Sequence, residues 1–355
     1  MGHVERFFDI SKGRVDAAIF FDDANRYYFS KYHSSFGMVL LFSEKGYYIT
    51  DSRYADEVSA VISSDFEVVT VTKSTAYEKV GELLASYNVK TLGYEDASLL
   101  HVEYLDLCST FPNVKFVGVS DVIGAMRAVK SDEEIAIIKR ATQISDKALL
   151  SLQKFIRQGV TEKEVRDELE YQMRILGAEG PAFDSIVAFG EHTAIPHAHC
   201  GEKKLEKGDF ILIDFGAKVD SYCSDMTRTM SFGEPSSKLK AIYSTVQFAQ
   251  KYTLDGIKSG LTGKEVDSFA REYLRARGLG DYFTHGSGHG LGLNIHEYPS
   301  LAVSSTDVLQ ENMVITCEPG VYIKGLGGVR IEDTVIVKND GIEILNSVTK
   351  ELIIL

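Results

Sequence analysis

Cysteine is scarce and scattered in this chain of 355 residues: Cys108, Cys200, Cys223 and Cys317 include no C-x-x-C pair. That spacing excludes a disulfide framework and the clustered thiolates of a structural zinc finger. No apolar run approaches the roughly 20 residues that a membrane-spanning helix needs, so no membrane partner is expected. The N-terminal stretch MGHVERFFDISKGR mixes charges into its apolar residues and has no h-region; no secretory signal is read there, and a cytoplasmic location is the expectation. Excess positive charge is missing as well. At a net charge of −13, nothing supplies the Lys/Arg surface that phosphate backbones require, and nucleic acid is excluded as a partner. The remainder, 44% hydrophobic and 25% charged, is the make-up of a globular protein with length for about two domains.

Residues 1–124 alternate short strand-like and helix-like segments, which predicts a smaller α/β domain. Strands are expected over 17–21, 37–42, 47–50, 66–72 and 91–94, with a hairpin through Glu44-Lys45-Gly46. Helices are expected over 54–62, 76–87 and 99–108. No catalytic constellation is found in this part, where His33 and His101 stand alone. A boundary near Gly124 gives a second domain, 125–355. It opens on a long amphipathic helix that Ser131 caps, with acids in the first turn and a stop at Gly159.

The second domain contains an internal repeat. Residues 156–165 match 257–266 at six of ten positions, with a constant offset of 101. Both copies place a glycine (Gly159, Gly260) between two helices, and both restart with a Thr-x-x-Glu capping box. A period near one hundred is too long for a solenoid, so two similar α/β halves about a pseudo-twofold axis are expected. Each half then supplies polar residues: His192, His197, His199, Asp214 and Asp225 from the first, His285, His289, His296, Glu318 and Glu332 from the second.

Several of these acids end apolar runs. Phe210–Ile213 delivers Asp214, and Asp225 follows on what reads as the neighbouring strand; Val314–Cys317 delivers Glu318, and Glu332 follows Ile331. An anion at the end of a buried strand is costly unless something positive meets it, and two together repel unless they share a proton or a cation. A hairpin with solvated acids would also read this way for the first pair alone. Four carboxylates and one histidine, His289 between Gly288 and Gly290, form a hard, oxygen-rich set suited to two divalent ions. A single zinc is more often held by His and Cys. Two metals roughly 3.5–4 Å apart lower the pKa of a shared water and polarise a carbonyl, which is hydrolytic chemistry.

The motifs GHGLGLNIHE, CEPGVY and RIED, with the Asp214…Asp225 pair and Pro196-His197-Ala198, resemble the pita-bread (M24-type) metallopeptidases, in their prolidase and aminopeptidase P branch. The preceding segment resembles that branch's creatinase-like N-terminal domain. The resemblance implies a dinuclear centre of Asp214, Asp225, His289, Glu318 and Glu332, loaded with manganese or cobalt, with zinc also compatible. It implies catalytic roles for His197, His296 and Glu318, with His197, His296 and Arg330 toward the substrate. The expected activity is hydrolysis of the bond preceding proline in Xaa-Pro dipeptides or longer proline-containing peptides, by a homodimer. His192, His199 and His285 are read as supporting residues; Tyr222 and Tyr322 fit hydrogen bonding near the metals and packing equally well.

One departure from the branch concerns specificity. Many prolidases carry an arginine after the His-Glu-x-Pro of this loop, where it grips a dipeptide's carboxylate. Here His296-Glu297-Tyr298-Pro299 runs into Ser300, which leaves room for longer peptides. A methionine-aminopeptidase-like enzyme and a catalytically inactive binding homologue are the alternatives. The intact ligand set stands against the second, and the extra N-terminal domain and the PGVY context stand against the first.

Overall fold

The alternating segments of the first part form a six-stranded mixed sheet in a computed structural model that describes residues 2–355. The strand order is Phe66–Thr70, Lys45–Thr50, Met38–Phe42, Ala17–Phe20, Thr91–Tyr94 and Lys115–Gly118. Two differences from the sequence reading have local causes. The hairpin turns through Ser43-Glu44, because Lys45 already pairs with Phe42 and its ammonium meets Glu67 on the adjoining strand at 2.6 Å. Three helices were not expected, His3–Ser11, Asp23–Ser30 and Ser120–Ala128. The second is capped by Asp22, whose side chain accepts from Asn25 N. Gly124 lies within the third of these helices, and the chain divides into a unit ending at Arg127 and a unit Ala128–Leu355.

In the second unit the capping boxes at Ser131, Thr161 and Thr262 all form, each hydroxyl accepting from the backbone three residues on while that residue's carboxylate accepts in return. The long helix is shorter than expected. It runs Asp132–Leu152, and the helix before the second glycine ends at Gly256. Gly159 and Gly260 instead serve left-handed turns, at φ +82° and +90°. Both turns are closed in the same way. Gly159 N donates to Leu205 O (2.9 Å) and Leu205 N returns to Val160 O (2.9 Å); Gly260 N donates to Leu309 O (2.8 Å) and Leu309 N returns to Leu261 O (2.8 Å). The repeat read in the sequence is therefore also a repeat of hydrogen bonding.

Each half contributes an antiparallel sheet. The first has Phe210–Phe215 at its centre, between Ile186–Phe189 and Met226–Ser231. Ile211, Ile213 and Phe215 pack into one core with Val187, Phe189, Met226 and Met230. Because side chains alternate along a strand, Leu212 and Asp214 point to the opposite face, and so do Thr227 and Thr229 of the neighbouring strand. The second half runs Glu297–Leu301, Gly288–Gly290, Val314–Cys317, Asp333–Lys338 and Gly341–Ile344 in order. There Ile315 and Cys317 face the core, leaving Thr316 and Glu318 on the other side.

Candidate metal centre

Strand alternation thus explains how acids adjoin runs of buried apolar residues: Asp214, Asp225 and Glu318, within or directly beside their strands, sit on the face turned away from the core. Asp214 is the fifth residue of its strand, and Asp225 directly precedes Met226, which pairs with Phe215. Glu318 follows Cys317. Glu332 lies in the break between Gly327–Arg330 and Asp333–Lys338 rather than within a strand. His289 occupies the short strand Gly288–Gly290, where backbone crowds in from both sides. A Cβ at Gly288 would stand 2.2 Å from Thr316 O, and one at Gly290 2.3 Å from Tyr298 O. Only glycine permits that approach on either side of His289.

All eight residues given a metal, catalytic or substrate role from the sequence line one cavity of about 300 Å³: His197, Asp214, Asp225, His289, His296, Glu318, Arg330 and Glu332. His285 and Ser300 line it too. Asp225, His289 and Glu332 place one donor atom each within 4.8 Å of one another. His289 Nε2 stands 3.6 Å from both Asp225 Oδ2 and Glu318 Oε1. Its Nδ1 lies 3.0 Å from Gly290 O, so Nδ1–H donates there and Nε2 turns its lone pair to the acids. Burial lowers the pKa of His289 and keeps the ring neutral.

Asp214 and Glu332 are each held by one oxygen and left free at the other. Asp214 Oδ2 accepts from Arg330 Nη2 at 2.5 Å, and Glu332 Oε2 accepts from Thr227 Oγ1 at 2.7 Å. Asp214 Oδ1, Asp225 Oδ1 and Glu332 Oε1 are buried without a hydrogen-bond partner, three of six such side-chain atoms among the described residues. Buried polar atoms are nearly always satisfied, so this concentration requires an explanation. Burial first, and then mutual repulsion, pushes Asp225 and Glu332 well above the usual carboxylate range. Glu318 is pushed up to about 8, mainly by burial, with Arg330 opposing and Asp214 adding to the rise. Divalent cations would meet the orphaned oxygens and remove the repulsion, and the donor set fits them.

Arg330 is the one Lys or Arg side chain among the residues lining the cavity, and it is engaged. Beyond Asp214, its Nε donates to Thr227 Oγ1 (3.0 Å), and its Nη1 donates to Tyr322 Oη (2.6 Å) and Pro196 O (3.3 Å). Tyr322 also meets His285 Nε2 at 2.9 Å, and His285 is held down to about 4 by burial and then by Arg330. Tyr222 donates to Glu134 at 2.9 Å and does not line the cavity. His192 pairs with Glu162, and His199 lines a neighbouring cavity that shares His197. His296 stacks edge-on to His289, with centroids 4.3 Å apart, and burial lowers its pKa. The residue that sequence reasoning missed is Thr227, which ties Glu332 to Arg330. Its signal was the alternation Met226-Thr-Arg-Thr-Met230, which puts two hydroxyls on the face of Asp214.

Comparison with known proteins gives matches along the whole chain. The family model described as metallopeptidase family M24 matches residues 136–339, and that of the creatinase/prolidase N-terminal domain matches 10–129. The chain is 39% identical over 349 residues to the Xaa-Pro dipeptidase of Pyrococcus furiosus, covering 97% of each. It is 38% identical over 341 residues to an uncharacterized peptidase of Bacillus subtilis, covering 96% of each. Among solved structures it is similar to an Xaa-Pro dipeptidase from Bacillus anthracis, with TM-score 0.94, 40% identity and 99% of both chains covered. It is also similar to an X-Pro aminopeptidase from Thermotoga maritima, with TM-score 0.90, 39% identity and 96% of this chain and 98% of that one covered.

Proposed function

The chain belongs to metallopeptidase family M24, and on that premise we propose that it hydrolyses the peptide bond preceding proline with two divalent cations held by Asp214, Asp225, His289, Glu318 and Glu332. The observation that carries this reading is the set of three buried carboxylate oxygens without partners, on residues lining a single cavity. When bound, the two ions supply a water of lowered pKa and a Lewis acid for the substrate carbonyl. Glu318 takes the proton released by the attacking water and delivers it to the proline nitrogen. That nitrogen has no hydrogen of its own in the substrate and must gain one to leave. His197 and His296 hydrogen-bond the substrate as charge develops on its carbonyl oxygen. Arg330 orients Asp214 and faces the substrate from the cavity wall.

The oxygen-rich donor set suits a hard divalent ion such as manganese; cobalt and zinc are compatible with it too. With Ser300 on the cavity wall and Arg330 engaged, no lining cation is free to require a dipeptide's carboxylate, so longer Xaa-Pro peptides are proposed as substrates beside dipeptides. A homodimer and a cytoplasmic location complete the proposal, with the unit ending at Arg127 as the creatinase-like domain and the unit from Ala128 as the catalytic one. Light scattering that shows a monomer would remove the dimer.

The test is treatment with EDTA, restoration of manganese or cobalt, and assay of Ala-Pro, Ala-Pro-Phe and Met-Ala side by side. Metal-dependent cleavage of the two proline peptides is expected. Cleavage of Met-Ala alone would transfer the chain to a methionine-aminopeptidase-like activity, and no cleavage with any metal would leave a binding role.

A further inference from the structure

Glu162 opens the helix Glu162–Ile175 and is fully buried, yet the cap of that helix does not need it, because Thr161 and Glu164 already close the first turn. Its carboxylate reaches across to one segment of chain. Oε1 accepts from Phe189 N (2.9 Å) and His192 Nδ1 (2.7 Å), and Oε2 accepts from Gly201 N (2.9 Å). Three charge-assisted hydrogen bonds at a helix N-terminus make a buried anion tolerable. They also grip both ends of the segment that brings Pro196 and His197 to the cavity wall. The middle of the segment is fastened separately: Gly328 N donates to Thr193 Oγ1 (2.7 Å), and Arg330 Nη1 donates to Pro196 O (3.3 Å).

The duplicated half is an internal control. At the offset of the repeat, the position of Glu162 is taken by Gly263, where a Cβ would stand 2.0 Å from Ser300 O. The repeated architecture therefore forms without an acid at this position. The acid belongs to the half that carries His197.

We propose that Glu162 is a positioning residue for peptide hydrolysis, setting the place of His197 at the substrate by anchoring the 189–201 segment at both ends. This rests on the assignment of His197 to the substrate made above. Glu162→Gln replaces one acceptor with a donor and sets it against a backbone N–H, and Glu162→Ala removes all three contacts. His192→Ala removes one contact from a partly exposed ring and is the variant to use should the Glu162 substitutions fail to fold.

The experiment measures kcat and KM on Ala-Pro with manganese, together with metal content and thermal unfolding, for wild type, these variants, His197→Ala, and each combined with His197→Ala. A displacement of about 1 Å costs up to roughly a hundredfold in rate, so a drop of about tenfold to a hundredfold in kcat/KM is expected for the Glu162 variants, with metal content unchanged. His192→Ala should lose less. The double variant should be no worse than His197→Ala alone, because the effect of Glu162 passes through that ring. Losses that multiply in the double variant, or a lower unfolding temperature with unchanged kcat/KM, would overturn the inference. So would His197→Ala with wild-type turnover. Absence of cleavage by the metal-loaded wild type would instead sink the proposed function itself.

Discussion

In the metal-free protein, Glu318 should cost stability in a pH-dependent way. Burial holds its pKa at about 8 against an ordinary 4.5, with Arg330 pulling down and Asp214 pushing up. A carboxyl whose pKa rises on folding binds more protons folded than unfolded, so stability falls as pH climbs from its unfolded to its folded pKa. At about 1.4 kcal/mol per unit, the rise is worth on the order of 5 kcal/mol once complete. Glu318→Gln keeps the shape and cannot ionise. Urea midpoints of the EDTA-treated wild type and variant, taken between about pH 5 and 8, should lie close together at the acid end. They should separate by several kcal/mol at the alkaline end, with the variant the more stable. Asp225 and Glu332 are raised in the same direction, and His285 is depressed to about 4 and works in the opposite sense between about 4 and 6.5; all three remain in both proteins. Manganese should abolish the trend in the wild type, because ligated carboxylates are deprotonated at every pH in that range. A wild-type–variant difference that stays constant across the range would refute the desolvation argument.

Asp225→Asn should lower bound metal and abolish peptidase activity with the fold retained, since it removes a charge and no core volume; elemental analysis and circular dichroism check both halves of that statement. Asp333→Asn leaves Arg228, 1% exposed, without its carboxylate partner, and should cost about 3–5 kcal/mol, read as a fall in unfolding temperature. Gly290→Ala drives a Cβ against Tyr298 O and should cost roughly 1–3 kcal/mol while displacing His289, so that metal stoichiometry falls. Thr262→Ala removes a hydroxyl that bonds only within its own capping box and should cost about 1 kcal/mol with activity per folded molecule unchanged.

The acids that line the cavity could be picked out in the sequence because a carboxylate at the end of an apolar run, as at Asp214 and Glu318, contradicts its surroundings, and such contradictions mark function. The caps at Ser131, Thr161 and Thr262 could be read because their spacing is local. Helix ends were harder: Leu152 and Gly256 stop before the glycines, which the hydrogen bonds to Leu205 and Leu309 commandeer from far along the chain. Asp23–Ser30 is too short to display a clear period. Glu162 looked like any first-turn acid, and only the fold reveals that its carboxylate turns inward to His192 and Gly201. Arg330 was assigned to the site from its motif, whereas three of its four partners, Pro196, Asp214 and Thr227, come from distant segments and have no signature of their own.

The four acids and one imidazole are unevenly shared between the repeated halves: Asp214 and Asp225 on one side, His289, Glu318 and Glu332 on the other. Any ion gripped by both sets acts as a staple across more than sixty residues of intervening chain, and it departs if either half opens. Cation occupancy and the concerted opening of residues 128–355 then become one quantity. Loading should slow amide exchange in both halves together, including helices that lie nowhere near a ligand.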